Sequence, residues 1–241
     1  MSSSLAALAV DASDPPALAR FWSGLLGWAD LGESGDGVVL RAEDDTGFDL
    51  RFVRSDARKT VKNWTHLDLT SASEDEQRRT VERALELGGR HIDIGQLPEE
   101  GHVVLADPEG NEFCVIAPGN DFLADCGFVG ALAGDGSQAV GYFWRDALGW
   151  PLVWDQDLET AIRSPRGGPK ITWDGVPRPS DAPRNRLRFD LVAEGDPAAE
   201  VGRLLSLGAT RVGQHGVGQH GVGQVVLADP DGYEFRVLTA S

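Results

Sequence analysis

The chain has 241 residues with 38 acidic against 22 basic side chains, and its net charge of −16 repels a nucleic-acid backbone or an anionic bilayer over most of the surface. A hydrophobic share of 41% and a charged share of 25% fit a soluble globular protein. No stretch approaches the roughly 18 apolar residues of a membrane span, and residues 1–10 lack the charged start of a signal peptide. With two cysteines, Cys114 and Cys126, a disulfide framework is excluded, so a cytoplasmic location and a small-molecule partner are expected, with no nucleic acid and no membrane.

In chain order, LAALAVD (5–11) reads as an apolar strand, followed by a helix that Ser13 or Asp14 caps and Pro15 and Pro16 open. Leu18, Phe21, Trp22, Leu25 and Leu26 form one apolar stripe, and Gly27 ends the helix. Strands are expected at WADLGE, GVVLRAE and FDLRFVR. THLDLT opens a second half, where Ser73 and Glu76 form a capping box for a helix running to Gly88. Strands near HIDIG, HVVLAD and EFCVIA complete a βαβββ order made twice.

The order then recurs. VVLADPEGNEF (103–113) returns as VVLADPDGYEF (225–235), an offset of 122, and FWxxxLGW at 21–28 returns at 143–150 with the same offset. Asn63, Asp68 and Leu69 match Asn185, Asp190 and Leu191. Val140, Phe143, Trp144, Ala147 and Leu148 make the second copy's helical stripe, and Asp196 with Pro197 caps its later helix. The expected organisation is α+β, with one domain at 1–118, a linker at 119–126 and a second domain at 127–241.

Paired βαβββ units, the FWxxxLGW helix end, the strand HLDL and the terminal DPEGNEF resemble the vicinal oxygen chelate superfamily of glyoxalases, bleomycin resistance proteins and extradiol dioxygenases. The resemblance implies two tandem glyoxalase-like domains, each of two βαβββ units forming a cupped sheet, acting as a monomer with internally paired domains or as a homodimer. The superfamily hosts isomerases, dioxygenases and metal-free binders, so the fold alone does not select a function.

Asp107-Pro108-Glu109-Gly110 reads as a type I turn that joins two strands. Alternation places Glu112 and Cys114 on one face of the last strand, and Trp64, His66 and Asp68 on one face of WTHLDL. His66 and Glu112 occupy positions that, by the resemblance, supply two ligands to zinc, nickel, iron or manganese. Asp49 or Cys114 is the candidate third ligand, and Asp68 a candidate proton carrier. The first-strand ligand is missing from both copies, since 5–10 and 127–133 hold no His, Gln, Asp or Glu. A hydrogen-bonded His–Glu pair without metal is the competing reading of His66 and Glu112.

At the offset of 122, His66 becomes Arg188, Trp64 becomes Arg186, Cys114 becomes Arg236, Glu112 becomes Glu234 and Arg51 becomes Trp173. These residues suit a carboxylate or phosphate on a small ligand, or else lie at a rim in water, and no metal is expected there. GQHGVGQHGVGQ (213–224), with His215 and His220, reads as a flexible loop. Two functions follow: capture of a small anionic or amphipathic molecule, or divalent-metal lyase, isomerase or dioxygenase chemistry at His66 and Glu112.

Overall fold

The computed structural model describes residues 3–34, 37–95, 100–179, 182–215 and 223–238; the centre of the GQHGV repeat, 216–222, lies outside them. The chain forms four βαβββ units. Unit 1 holds β1 (Ser3–Ala12), α1 (Pro15–Leu26), β2 (Ala29–Ser34), β3 (Gly37–Arg41) and β4 (Asp49–Arg54). Unit 2 holds β5 (Thr65–Leu69), α2 (Glu74–Glu86), β6 (Arg90–His91), β7 (Val103–Ala106) and β8 (Glu112–Val115). Unit 3 comprises β9 (Val129–Gly134), α3 (Gln138–Leu148), β10 (Leu152–Gln156), β11 (Glu159–Arg163) and β12 (Lys170–Trp173). Unit 4 comprises β13 (Leu187–Ala193), α4 (Pro197–Ser206), β14 (Thr210–His215), β15 (Gln224–Ala228) and β16 (Glu234–Leu238). The strand expected across HIDIG shrinks to two residues, β6.

Helix boundaries follow local chemistry. The Asp14 side chain accepts from Ala17 N–H at 3.0 Å, two prolines fill the first turn of α1, and Gly27 closes it at φ +75°. Ser73 caps α2 through Glu76 N–H at 3.2 Å, while Glu76 reaches back to Ala72 N–H at 2.8 Å, one residue beyond the usual capping-box donor.

Two eight-stranded sheets result, ordered β14-β15-β16-β13-β1-β4-β3-β2 (sheet A) and β10-β11-β12-β9-β5-β8-β7-β6 (sheet B). The α+β class and four-unit plan are as expected, but a repeat does not close a sheet on itself. Unit 1 pairs with unit 4 through antiparallel β1 and β13, and unit 2 with unit 3 through antiparallel β5 and β9. All four units present similar edges, so nothing local selects the pairing; it is settled by which edges the shared core brings together. Among the described residues, no helix is long and apolar enough to cross a membrane.

One core joins the two sheets. Trp22 of α1 crosses from unit 1 to Phe113 of β8 with ring centroids 5.1 Å apart, and Trp144 of α3 meets Phe235 of β16 at 5.0 Å. The indole N–H of Trp22 donates to the buried Asp107 at 3.1 Å, and that of Trp144 to the buried Asp229, also at 3.1 Å. FWxxxLGW and DPxG therefore repeat together because each indole anchors the turn of the following unit.

The turn also does more than join two strands. Gly110 N–H donates to Asp107 C=O at 2.9 Å, as the turn requires, but the Glu109 carboxylate accepts from the N–H groups of Ser13 and Asp14 at 2.9 Å each. Asp231 of the second DPxG likewise accepts from the backbone and hydroxyl of Ser137, both at 2.7 Å, ahead of α3. A carboxylate from one unit thus satisfies orphan donors at the helix start of the preceding unit.

Candidate functional site

Each sheet carries a cup on its concave face. In sheet B the floor comes from β5 and β8, where Leu67, Leu69, Phe113 and Val115 turn into the core and His66, Asp68 and Cys114 turn the other way. Parallel pairing sets Asp68 beside Cys114, and antiparallel pairing sets His66 beside Ala133 and Asp68 beside Ala131. One potential ligand atom each from His66, Asp68 and Cys114 falls within a 4.8 Å cluster.

This cluster is not the one the motif suggested. Glu112 is 7% exposed, and its carboxylate accepts from Lys59 Nζ and from Asn63 N–H at 3.1 Å, away from the His66 cluster. Its counterpart Glu234 likewise accepts from Arg184 Nε at 2.9 Å, ahead of β13. Both glutamates hold the segment entering a central strand, and two residues further along β8 the alternation brings Cys114 to His66. Asp49 stands on β4 of sheet A, 3.7 Å from Arg41, and contributes nothing to sheet B.

His66 Nε2 lies 3.3 Å from Asp68 Oδ1, which is buried and accepts no well-aligned hydrogen bond. Burial alone would lower the imidazole pKa, but polar contact with Asp68 and Cys114 and their charge outweigh it, raising His66 to about 10. Burial pushes the Cys114 thiol up. The proton on His66 stabilises the fold fully below pH 6.5, its ordinary value, and that stabilisation is lost as pH rises towards 10. Asp68→Asn should move the imidazole midpoint down by several units, read from its Cε1 proton resonance; an unchanged midpoint would remove Asp68 as the cause.

The cup opens into a cavity of about 730 Å³, bordered by His66, Phe122, Trp154, Thr172 and Trp173 and by four carboxylates, Glu100, Asp135, Glu159 and Asp174. The 119–126 segment forms part of its wall. Lys170 Nζ donates to Phe122 C=O and to Asp125 Oδ1 at 3.0 Å, and Arg163 also binds Asp125. These anchors hold Phe122 edge-on to Trp154, ring centroids 5.8 Å apart. Neither aromatic carried a sequence signal, because a linker phenylalanine and a half-exposed tryptophan on β10 meet only through tertiary folding.

Sheet A holds the counterpart cup, and the repeat's constant offset misplaces part of its lining. Ala9 pairs with Arg51 on β4, whereas Ala133 pairs with Thr172 on β12, so Thr172 and not Trp173 occupies the place of Arg51. A slip of one residue turns a side chain to the opposite face: Trp173 is 6% exposed and packs in the core of sheet B, showing only an edge to its cavity. Arg186 and Trp64 also leave the cups for the seam between sheets. Arg186 Nη2 binds Glu109 at 2.7 Å and Asp11 C=O at 2.5 Å, and Trp64 packs against Tyr233 with centroids 6.3 Å apart.

Arg51, Arg188 and Arg236 do reach the sheet A cup. Arg236 binds both oxygens of the fully buried Asp190, and Arg51 Nη1 lies 3.6 Å from the same carboxylate. Arg188 Nη1 donates to Asp11 Oδ1 at 2.5 Å, and Arg184 donates to Asp11 Oδ2 at 2.7 Å and to Glu234 at 2.9 Å. Asp11, outside the sequence candidates, is brought in by the β1–β13 pairing.

A family model described as "Glyoxalase-like domain" matches residues 7–116 and again 131–238. The chain belongs to this glyoxalase-like family, within the vicinal oxygen chelate superfamily. Glyoxalase I from Zea mays shares the fold at a TM-score of 0.68 and 13% identity, over 98% of this chain and 92% of that one. A candidate dioxygenase from Bacillus subtilis aligns at a TM-score of 0.62 and 12% identity, over 99% of this chain and 86% of that one. No curated protein matches the sequence. At these identities the structural likeness establishes the fold and leaves the chemistry to the site.

Proposed function

We propose that the protein captures a small amphipathic organic molecule in the sheet B cup, its apolar part against Phe122 and Trp154 and an oxygen-bearing head at His66. The observation that carries this reading is the cavity of about 730 Å³ with the His66 imidazole on its floor and aromatic rings on its wall. A volume in the range of about 300–1,000 Å³ is the usual size of a small-ligand site, and the carboxylates of Glu100, Asp135, Glu159 and Asp174 lining this cavity disfavour a free anion. Titration with a panel of small aromatic and aliphatic alcohols, ketones and acids, followed by tryptophan fluorescence and calorimetry, tests it. Phe122→Ala should weaken the best ligand about tenfold, roughly 1.4 kcal/mol, and His66→Ala should erase the preference for oxygen-bearing ligands over the matching hydrocarbons. Affinity unchanged in both variants would defeat the reading.

A second reading is favoured by the buried Oδ1 of Asp68, which accepts no well-aligned hydrogen bond among the described residues and lies 3.3 Å from His66 Nε2. His66, Asp68 and Cys114 offer nitrogen, oxygen and sulfur donors to one divalent ion, a mixed set that suits zinc. These donors fit a metal on one side of the cup, while Ala131 and Ala133 leave the facing strand without ligands. A bound ion would supply Lewis acidity toward paired oxygens of a substrate. Metal analysis of untagged protein tests this reading: about one ion per chain, lost in Cys114→Ala, supports it, and absence of stoichiometric metal after zinc loading ends it.

A further inference from the structure

The sheet A cup encloses a second cavity, of about 450 Å³, bordered by Arg54, Arg184, Arg188 and Arg236 but by only two carboxylates, Asp11 and Glu234. Among the described residues, four guanidinium groups thus meet two carboxylates at this cavity. A cationic excess enclosed in a chain of net charge −16 is a local reversal of the protein's field.

The arrangement is also unevenly satisfied. Arg236 spends its donors on Asp190 and on Gln224 Oε1 at 3.1 Å, whereas the guanidinium of Arg188 makes a single hydrogen bond among the described residues, to Asp11. The Arg188 side chain is only 6% exposed and lines the cavity. Burial and then the charge of Arg236 hold Arg188 below the ordinary guanidinium range, against the pull of Asp11. Arg188 and Arg236 stand where His66 and Cys114 stand in sheet B, on the same strands of the cup.

We infer that the sheet A cup is a separate binding site for a compact oxyanion, a carboxylate or phosphate group on a small molecule, with Arg188 as its principal donor and Arg184 and Arg54 at its mouth. Planar guanidinium forks match either group bidentately. The site is independent of the sheet B cup, so the two readings stand or fall separately.

Calorimetry of the full chain with inorganic phosphate and with oxalate tests the site. One anion should bind per chain, about tenfold or more weaker in Arg188→Met, the loss of a charge-assisted hydrogen bond, and unchanged in His66→Ala. Should Arg188→Met fail to give a folded far-ultraviolet spectrum, Arg54→Ala, at an exposed position, should still weaken binding severalfold. Preference for oxalate or for phosphate identifies which oxyanion the cup takes, and either upholds the site. No binding by the wild-type chain, binding untouched by the Arg188 and Arg54 variants, or loss in His66→Ala would overturn it.

Discussion

Replacing Asp107 with alanine should lower the free energy of unfolding by about 4 kcal/mol, since it strands several buried donors at once. The fully buried carboxylate accepts from Trp22 Nε1 at 3.1 Å, from Asn111 Nδ2 at 2.8 Å and from the N–H groups of Glu109 and Asn111 at 2.9 Å each. Trp22→Phe keeps most of the ring in the core and removes one of these donors, so its hydrogen-bond loss should be nearer 1 kcal/mol. Denaturant unfolding followed by circular dichroism measures both, and a double-mutant cycle should show coupling between Asp107 and Trp22. Strictly additive losses would mean that the indole and the turn do not act as a unit.

Asp190→Ala should be as costly, about 3–5 kcal/mol, because it abandons the buried Arg236 guanidinium beside Arg51. Replacing the pair together, Asp190→Leu with Arg236→Met, should recover most of that loss, since two apolar side chains of similar volume need no solvation. Equilibrium unfolding of the single and double variants decides the matter. A double variant as unstable as Asp190→Ala would show that the ion pair itself, rather than the uncompensated charge, holds this part of sheet A.

These two sites explain why motif reading succeeded in some places and failed in others. The repeat, the helix caps at Asp14 and Ser73 and the inward face of His66 and Asp68 were legible because they depend on spacing within one element. The same alternation puts Glu112 and Cys114 on one face, and only the contacts with Lys59 and the Asn63 N–H distinguish a strand-entry anchor from a group at the cup floor. Trp173 was misplaced because paired residues are 42 apart between β1 and β4 (Ala9 and Arg51) but 39 apart between β9 and β12 (Ala133 and Thr172), a shift invisible at a constant offset.

By itself the amino-acid sequence determined four βαβββ units in two copies, their helix stripes and turns, and the residue types available to each cup. Hydrophobic period and capping chemistry act over a few residues, so they are written locally. Only the tertiary structure decided that unit 1 shares a sheet with unit 4 and unit 2 with unit 3. From that pairing follow the meeting of Arg188 with Asp11, the aromatic wall of Phe122 and Trp154, and the separation of Asp49 from His66. Each depends on edges and charges far apart in the chain, whose free energies are realised only when one core has brought them together.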